Sequence, residues 1–63
     1  MEGPSNLLTA ADVGRILHRH PKVILRLARE GRLSHVRLGY RGVRFRLTDI
    51  EAYIAAHVVE AAS

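Results

Sequence analysis

Arginine supplies the densest chemistry in this chain. Ten cations, nine of them arginine, all fall between Arg15 and Arg46, where Glu30 is the only acid. That block carries +9, whereas the flanks hold Glu2, Asp12, Asp49, Glu51 and Glu60 with no cation and carry −5. Guanidinium forks pair with phosphate and with guanine through two parallel hydrogen bonds, so an arginine-dominated block points to recognition of those groups rather than to general solubility. Other chemistries fit poorly. His18 and His20 form a His-x-His pair, but with no cysteine and only His35 and His57 elsewhere, the donor set falls short of a metal site. No nucleophile, base and orienting group assemble, and 63 residues build no pocket of useful size. The chain reads as a non-enzyme without a cofactor.

Short helices must position the first half of this block. Thr9 is an N-cap with Asp12 three residues on, and Leu8 and Val13 stand where a hydrophobic staple forms. Val13, Ile16 and Leu17 continue an apolar stripe, so a helix is expected over about 9–18, weakened by Gly14. His18-Arg19-His20-Pro21 breaks it, because proline disfavours helix before itself and suits a first helical position. A second helix follows over about 21–30. Ile24, Leu27 and Ala28 form its inner stripe, Lys22, Arg26 and Arg29 project oppositely, and Gly31 stands at a left-handed C-cap.

The period then changes to two. Val36 and Leu38 alternate with His35 and Arg37, and Val43, Phe45 and Leu47 alternate with Arg44 and Arg46. Gly39-Tyr40-Arg41-Gly42 between them has hairpin-turn chemistry, so one face of the hairpin is expected to be apolar and the other to offer Arg37, Arg44 and Arg46. A clamp loop of the KH type also has Gly-x-x-Gly, but it joins helices, not strands. Tyr40 is expected exposed at the tip, with Phe45 and Tyr53 in the core. Thr48-x-x-Glu51 reads as a capping box opening a third helix through Ile50, Tyr53, Ile54, His57, Val58 and Ala61. Leu25, at the edge of the second helix's polar side, and Val59, beside the third helix's stripe, are candidates for contact with another protein.

A chain of this length buries only about 60% of its unfolded surface, so one small domain is expected. Residues 1–6 read as a disordered leader and 7–60 as the domain. No apolar stretch approaches the roughly 20 residues of a membrane span, and the start lacks a signal-peptide pattern, which makes cytoplasmic the default location.

Two short helices joined by a tight turn form a helix-turn-helix, whose second helix can enter a DNA major groove. Arg19, His20 and Lys22 lie at its start and Arg26 one turn on, with backbone N–H groups there to attract a phosphate. The hairpin adds a second cationic surface, with Arg41 reaching toward a minor groove or the backbone. Arg15, Arg29, Arg37, Arg44 and Arg46 complete the phosphate candidates.

On these residues a resemblance rests. Leu7-Leu8-Thr9-Ala10-Ala11-Asp12-Val13, Val23 to Leu33 with its Arg29-Glu30-Gly31-Arg32-Leu33, Val36-Arg37-Leu38-Gly39, Phe45-Arg46 and Asp49-Ile50-Glu51-Ala52-Tyr53-Ile54 resemble the excisionase family, within the MerR-like winged helix-turn-helix group. The likeness covers about residues 7–57. It implies an α+β winged helix-turn-helix in the order helix-helix-strand-strand-helix, and no catalysis. It further implies binding to double-stranded attachment-site arms, DNA bending, and service to an integrase that excises a prophage. Neighbouring protomers on the DNA and the integrase are the implied protein partners. The family places Arg19, His20, Lys22, Val23 and Arg26 on the recognition element and Arg41 on the wing. The chain departs from it at His18-Arg19-His20, where relatives carry Gly-Val-Ser, and at Val23, where a hydroxyl residue is usual; valine can touch a thymine methyl. The same scaffold serves small transcriptional regulators, which is the alternative reading; 63 residues leave little room for an effector domain. A third reading is a protein-interaction module whose basic face meets an acidic partner.

Overall fold

The computed structural model describes residues 7–59. The leader expected over 1–6, and the chain from residue 60 onward, lie outside the described residues. Thr9 opens helix α1 (Ala10–Leu17) with a complete capping box. Its hydroxyl accepts from the Asp12 N–H at 3.1 Å, and the Asp12 carboxylate accepts from the Thr9 N–H at 3.0 Å. The helix ends where His18 turns left-handed, at φ 57°, and the N–H groups of His18 and Arg19 both reach back to the Gly14 carbonyl. Gly14 weakens the helix intrinsically, yet the fold needs it. A Cβ there would stand 2.4 Å from the Arg19 carbonyl oxygen.

Helix α2 (Pro21–Arg29) starts on proline, with His20 as its N-cap. It ends in a Schellman motif on Gly31, at φ 75°. The Gly31 N–H bonds Ala28 O at 3.0 Å and the Arg32 N–H bonds Leu27 O at 2.9 Å. The expected helix pair and both its ends are therefore present.

Three short strands, β1 (Leu7–Leu8), β2 (Val36–Arg37) and β3 (Val43–Arg46), form an antiparallel sheet in the order β1-β3-β2. The expected element order holds with one addition, since Leu7 and Leu8 pair with Arg46 and Phe45 on the edge of β3. In the hairpin, Val36 lies opposite Arg44 and Arg37 opposite Val43. Opposed residues share a face of the sheet. The expected single cationic face of Arg37, Arg44 and Arg46 is thus split: Arg44 and Arg46 share one face with Val36, and Arg37 shares the other with Val43 and Phe45. The cause is the turn. Leu38 N–H bonds Gly42 O at 2.8 Å, leaving a three-residue 3-10 turn, Gly39–Arg41, where a four-residue turn would have set the other register. One residue of slip exchanges the faces.

Helix α3 (Leu47–Ala56) follows β3 with no loop. The expected Thr48–Glu51 capping box does not open it. Arg46 is the N-cap, extended at φ −93° and ψ 147°, and Thr48 sits within the first turn. The Asp49 carboxylate accepts from Arg46 Nε at 2.9 Å and Nη2 at 2.7 Å, and over a longer 3.4 Å from the Arg46 N–H. A two-pronged charged pair outcompetes a threonine hydroxyl for this end of the helix. Val13, Ile24, Ala28, Leu33, Phe45 and Ile50 form the core, with Leu8, Ala10, Leu17, Leu27, Val43 and Tyr53 packed around it. The third helix's stripe reaches the core less fully than expected, because Ile54 and Val58 are exposed and the helix stops at Ala56. Ala61 lies outside the described residues.

Two substitutions at the α1–α2 corner should act with opposite sign. His18→Gly removes a left-handed Cβ and should stabilise the fold by about 1 kcal/mol. Gly14→Ala forces the turn apart and should destabilise it by about 2 kcal/mol despite alanine's better helix propensity. Denaturant melts of both variants check this; a stabilised Gly14→Ala would contradict it.

Candidate nucleic-acid interface

At 100° per residue, Lys22, Arg26 and Arg29 fall within an arc of about 60° on α2. All three are exposed, and Ile24 and Ala28 are buried on the opposite side. Arg19 is exposed in the turn just ahead. Val23 sits about 100° from Lys22 around the helix and is half-buried. Leu25 flanks the cationic arc on its other side, about 40° beyond Arg29, and is 40% exposed.

The start of α2 is fully bonded. Pro21 has no N–H, the Lys22 N–H donates to His20 Nδ1 at 3.1 Å, and the Val23 and Ile24 N–H groups both reach His20 O. The expectation that bare backbone N–H groups await a phosphate here is therefore corrected. Capping by the His20 ring and a tight first turn consume them. Attraction for an anion at this end comes from the helix dipole and from the side chains of Arg19 and Lys22.

Ion pairs divide the remaining cations. Arg15 pairs with Asp12, Arg32 with Glu30 at 3.6 Å, and Arg46 with Asp49. Hydrogen bonds from Thr9, and then the charge of Arg15, hold the Asp12 carboxyl below the usual carboxylate range. The Arg46 guanidinium does the same for Asp49, which is only 8% exposed, and Asp49 in turn raises the Arg46 pKa. Two of the sequence-derived phosphate candidates, Arg15 and Arg46, are thus held by carboxylates. Among the described residues, Arg19, Lys22, Arg26, Arg29, Arg37 and Arg44 make no ion pair. Arg44 is half-buried and spends one N–H on the Val43 carbonyl at 2.9 Å. Arg41 stands in the three-residue turn beside the fully exposed Tyr40.

The hairpin register also brings together residues that the sequence kept apart. Arg37, on the inner face, joins Leu25, Ala28, Arg29, His35 and Val43 around a groove of about 270 Å³ between α2 and the sheet. The ring of His35 is fixed there, with Nδ1 2.9 Å from Leu33 O and its centroid 6.4 Å from that of Phe45. Whether Leu38 pairs with Gly42, across a three-residue turn, or with Val43, across a four-residue one, decides this grouping. Among the described residues no cluster of three histidine, cysteine or carboxylate side chains forms, and no helix is long and apolar enough to cross a membrane.

A family model described as a helix-turn-helix domain matches residues 7–58, and the chain belongs to that family. No curated protein and no solved structure matches it.

Both lowered carboxyls give the fold an acid limb. A depressed folded-state pKa contributes stability that is complete above the unfolded carboxylate value of about 4 and is lost as pH falls through the folded value. The melting temperature should therefore be level from neutral pH to about pH 5 and drop below about pH 4. Asp49→Asn should lower the neutral plateau and shrink that drop. An acid limb unchanged by Asp49→Asn would show that the Arg46 pair contributes nothing.

Proposed function

We propose that this helix-turn-helix domain protein is a double-stranded-DNA-binding and DNA-bending accessory factor of the excisionase type. Membership of the helix-turn-helix family indicates DNA binding. The observation that carries the reading is the exposed stripe of Lys22, Arg26 and Arg29 on α2, with Arg19 just ahead and no carboxylate pairing with any of them among the described residues. A helix of this kind enters the major groove with its first turns toward the base edges. In this reading Arg19, His20, Lys22, Val23 and Arg26 form the recognition element, His20 also capping it. Arg29, Arg37 and Arg44 meet phosphates, and Arg41 reaches from the wing. Arg15 and Arg46 contribute least, because each would have to leave a carboxylate.

The excisionase assignment draws its support from the residue likeness over 7–57. On it, the protein occupies attachment-site arms beside further copies of itself, bends them, and turns an integrase toward prophage excision. A small winged-helix transcriptional regulator is equally compatible with a helix-turn-helix domain. The two readings separate in a recombination assay. Purified integrase and attachment sites should excise only when this protein is added; no stimulation, alongside occupancy of a promoter, would favour the regulator.

Duplex binding should weaken steeply with salt, because each phosphate neutralised contributes about −0.9 to the slope of log affinity against log salt. Arg26→Ala should weaken a selected site by about 1–3 kcal/mol and bulk duplex far less. Arg46→Ala should leave the salt slope nearly unchanged. Equal losses from Arg26→Ala on both duplexes would remove it from base reading.

A further inference from the structure

We infer that Leu25 is a specificity-determining residue that reads the C5 methyl group of a thymine, an inference that rests on the DNA-binding reading of α2. Leu25 lies about 40° beyond Arg29, at the edge of the exposed arc that carries Lys22, Arg26 and Arg29. It is 40% exposed although its neighbours Ile24 and Ala28 are buried, so the core leaves it unused. Val23, the apolar residue of the sequence-derived recognition set, is half-buried and turned about 100° from Lys22. Leu25, the more exposed of the two, is therefore the apolar side chain we assign to the methyl contact, beside Val23 in the recognition element.

Geometry and chemistry then agree on a ligand. The cations on either side of Leu25 along this face draw it against an anionic surface, where a lone leucine would otherwise lose water for nothing. On base edges in a major groove, the thymine C5 methyl is the apolar feature. Beside Leu25 the groove continues over Ala28 and Val43, with Arg29 and Arg37 also on its lining. A methyl group entering between the leucine and this apolar floor is shielded from water while the arginines remain with the backbone. The arrangement discriminates by burial, not by hydrogen bonding.

Removing one methyl isolates this contact. A duplex selected by the wild-type protein from a randomised library is resynthesised with uracil replacing each thymine in turn. Uracil keeps every hydrogen-bonding group of thymine and lacks only the methyl. At one position the wild-type protein should lose about fourfold in affinity, the effect of one buried methyl group. Leu25→Ala should bind the thymine and uracil duplexes equally, Leu25→Met should retain most of the preference, and Val23→Ala should keep it whole. Because Leu25 lies outside the core, circular dichroism should show Leu25→Ala folded. Undiminished uracil discrimination by Leu25→Ala, or no uracil-sensitive position at all, would overturn the role of Leu25 while salt-dependent duplex binding left the DNA reading intact. Failure of the wild-type protein to bind any duplex at about 50 mM salt would overturn both.

Discussion

The position of the cationic helix depends on one close approach, that of the Arg19 carbonyl to the backbone of Gly14. With a Cβ at residue 14 only 2.4 Å from that oxygen, the chain could not fold back so soon after α1. The left-handed His18 completes the reversal, and its N–H and that of Arg19 share the Gly14 carbonyl. Pro21 then starts α2 in a helical conformation, with His20 closing its first turn. Everything at the front of the candidate interface inherits its place from this corner: Arg19 in the turn, Lys22 one residue into the helix, and Arg26 a turn beyond. The strain of a histidine at φ 57° is compensated by Ile24 and Ala28 packing into the core behind it.

Charge is distributed by the same economy. A +9 block read as one surface separates into cations that hold the fold and cations that face outward. Asp12 and Asp49 come from the acidic flanks, and each engages an arginine three residues away, at the start of α1 and of α3. These carboxylates cap helices and tether Arg15 and Arg46 at once. What remains outward lies on α2 and the neighbouring strands, with Arg29 and Arg37 on two sides of a groove and Arg44 on the other face of the sheet, and it is this remainder that suits a polyanion. Net charge alone would have overstated the interface, since Arg15, Arg32 and Arg46 each stand against an acid.

Local chemistry was legible in the sequence. The Thr9–Asp12 box, Pro21 at the helix start, the Gly31 terminus and the α2 stripe all involve residues within four or five positions of one another, where type and spacing nearly determine geometry. Pairing over longer distance was not. Leu7 and Leu8 form a strand because β3 offers them an edge, and two residues carry no alternation of their own. The hairpin register turned on whether Gly42 belonged to the turn or to the strand, and glycines at both 39 and 42 left either reading chemically sound. At α3, Thr48 and Asp49 are adjacent candidates for the same task. Asp49 prevails because Arg46, the last residue of β3, offers it two guanidinium N–H groups. The exposure of Leu25 has a similar origin: the rotation of α2 about its axis is set by how Ile24 and Ala28 enter the core.

In the proposed function, the outward face of α2, with the adjoining hairpin, is the surface that meets duplex DNA. Following backbone amide shifts of isotope-labelled protein during titration with a short duplex tests it most directly. The largest shifts are expected from Arg19 to Arg29 and around Arg37 to Arg44, with the outer side of α3 at Glu51 and Ala55 nearly silent. Shifts centred on α3 or on the Asp12 side of α1, with α2 unmoved, would contradict it.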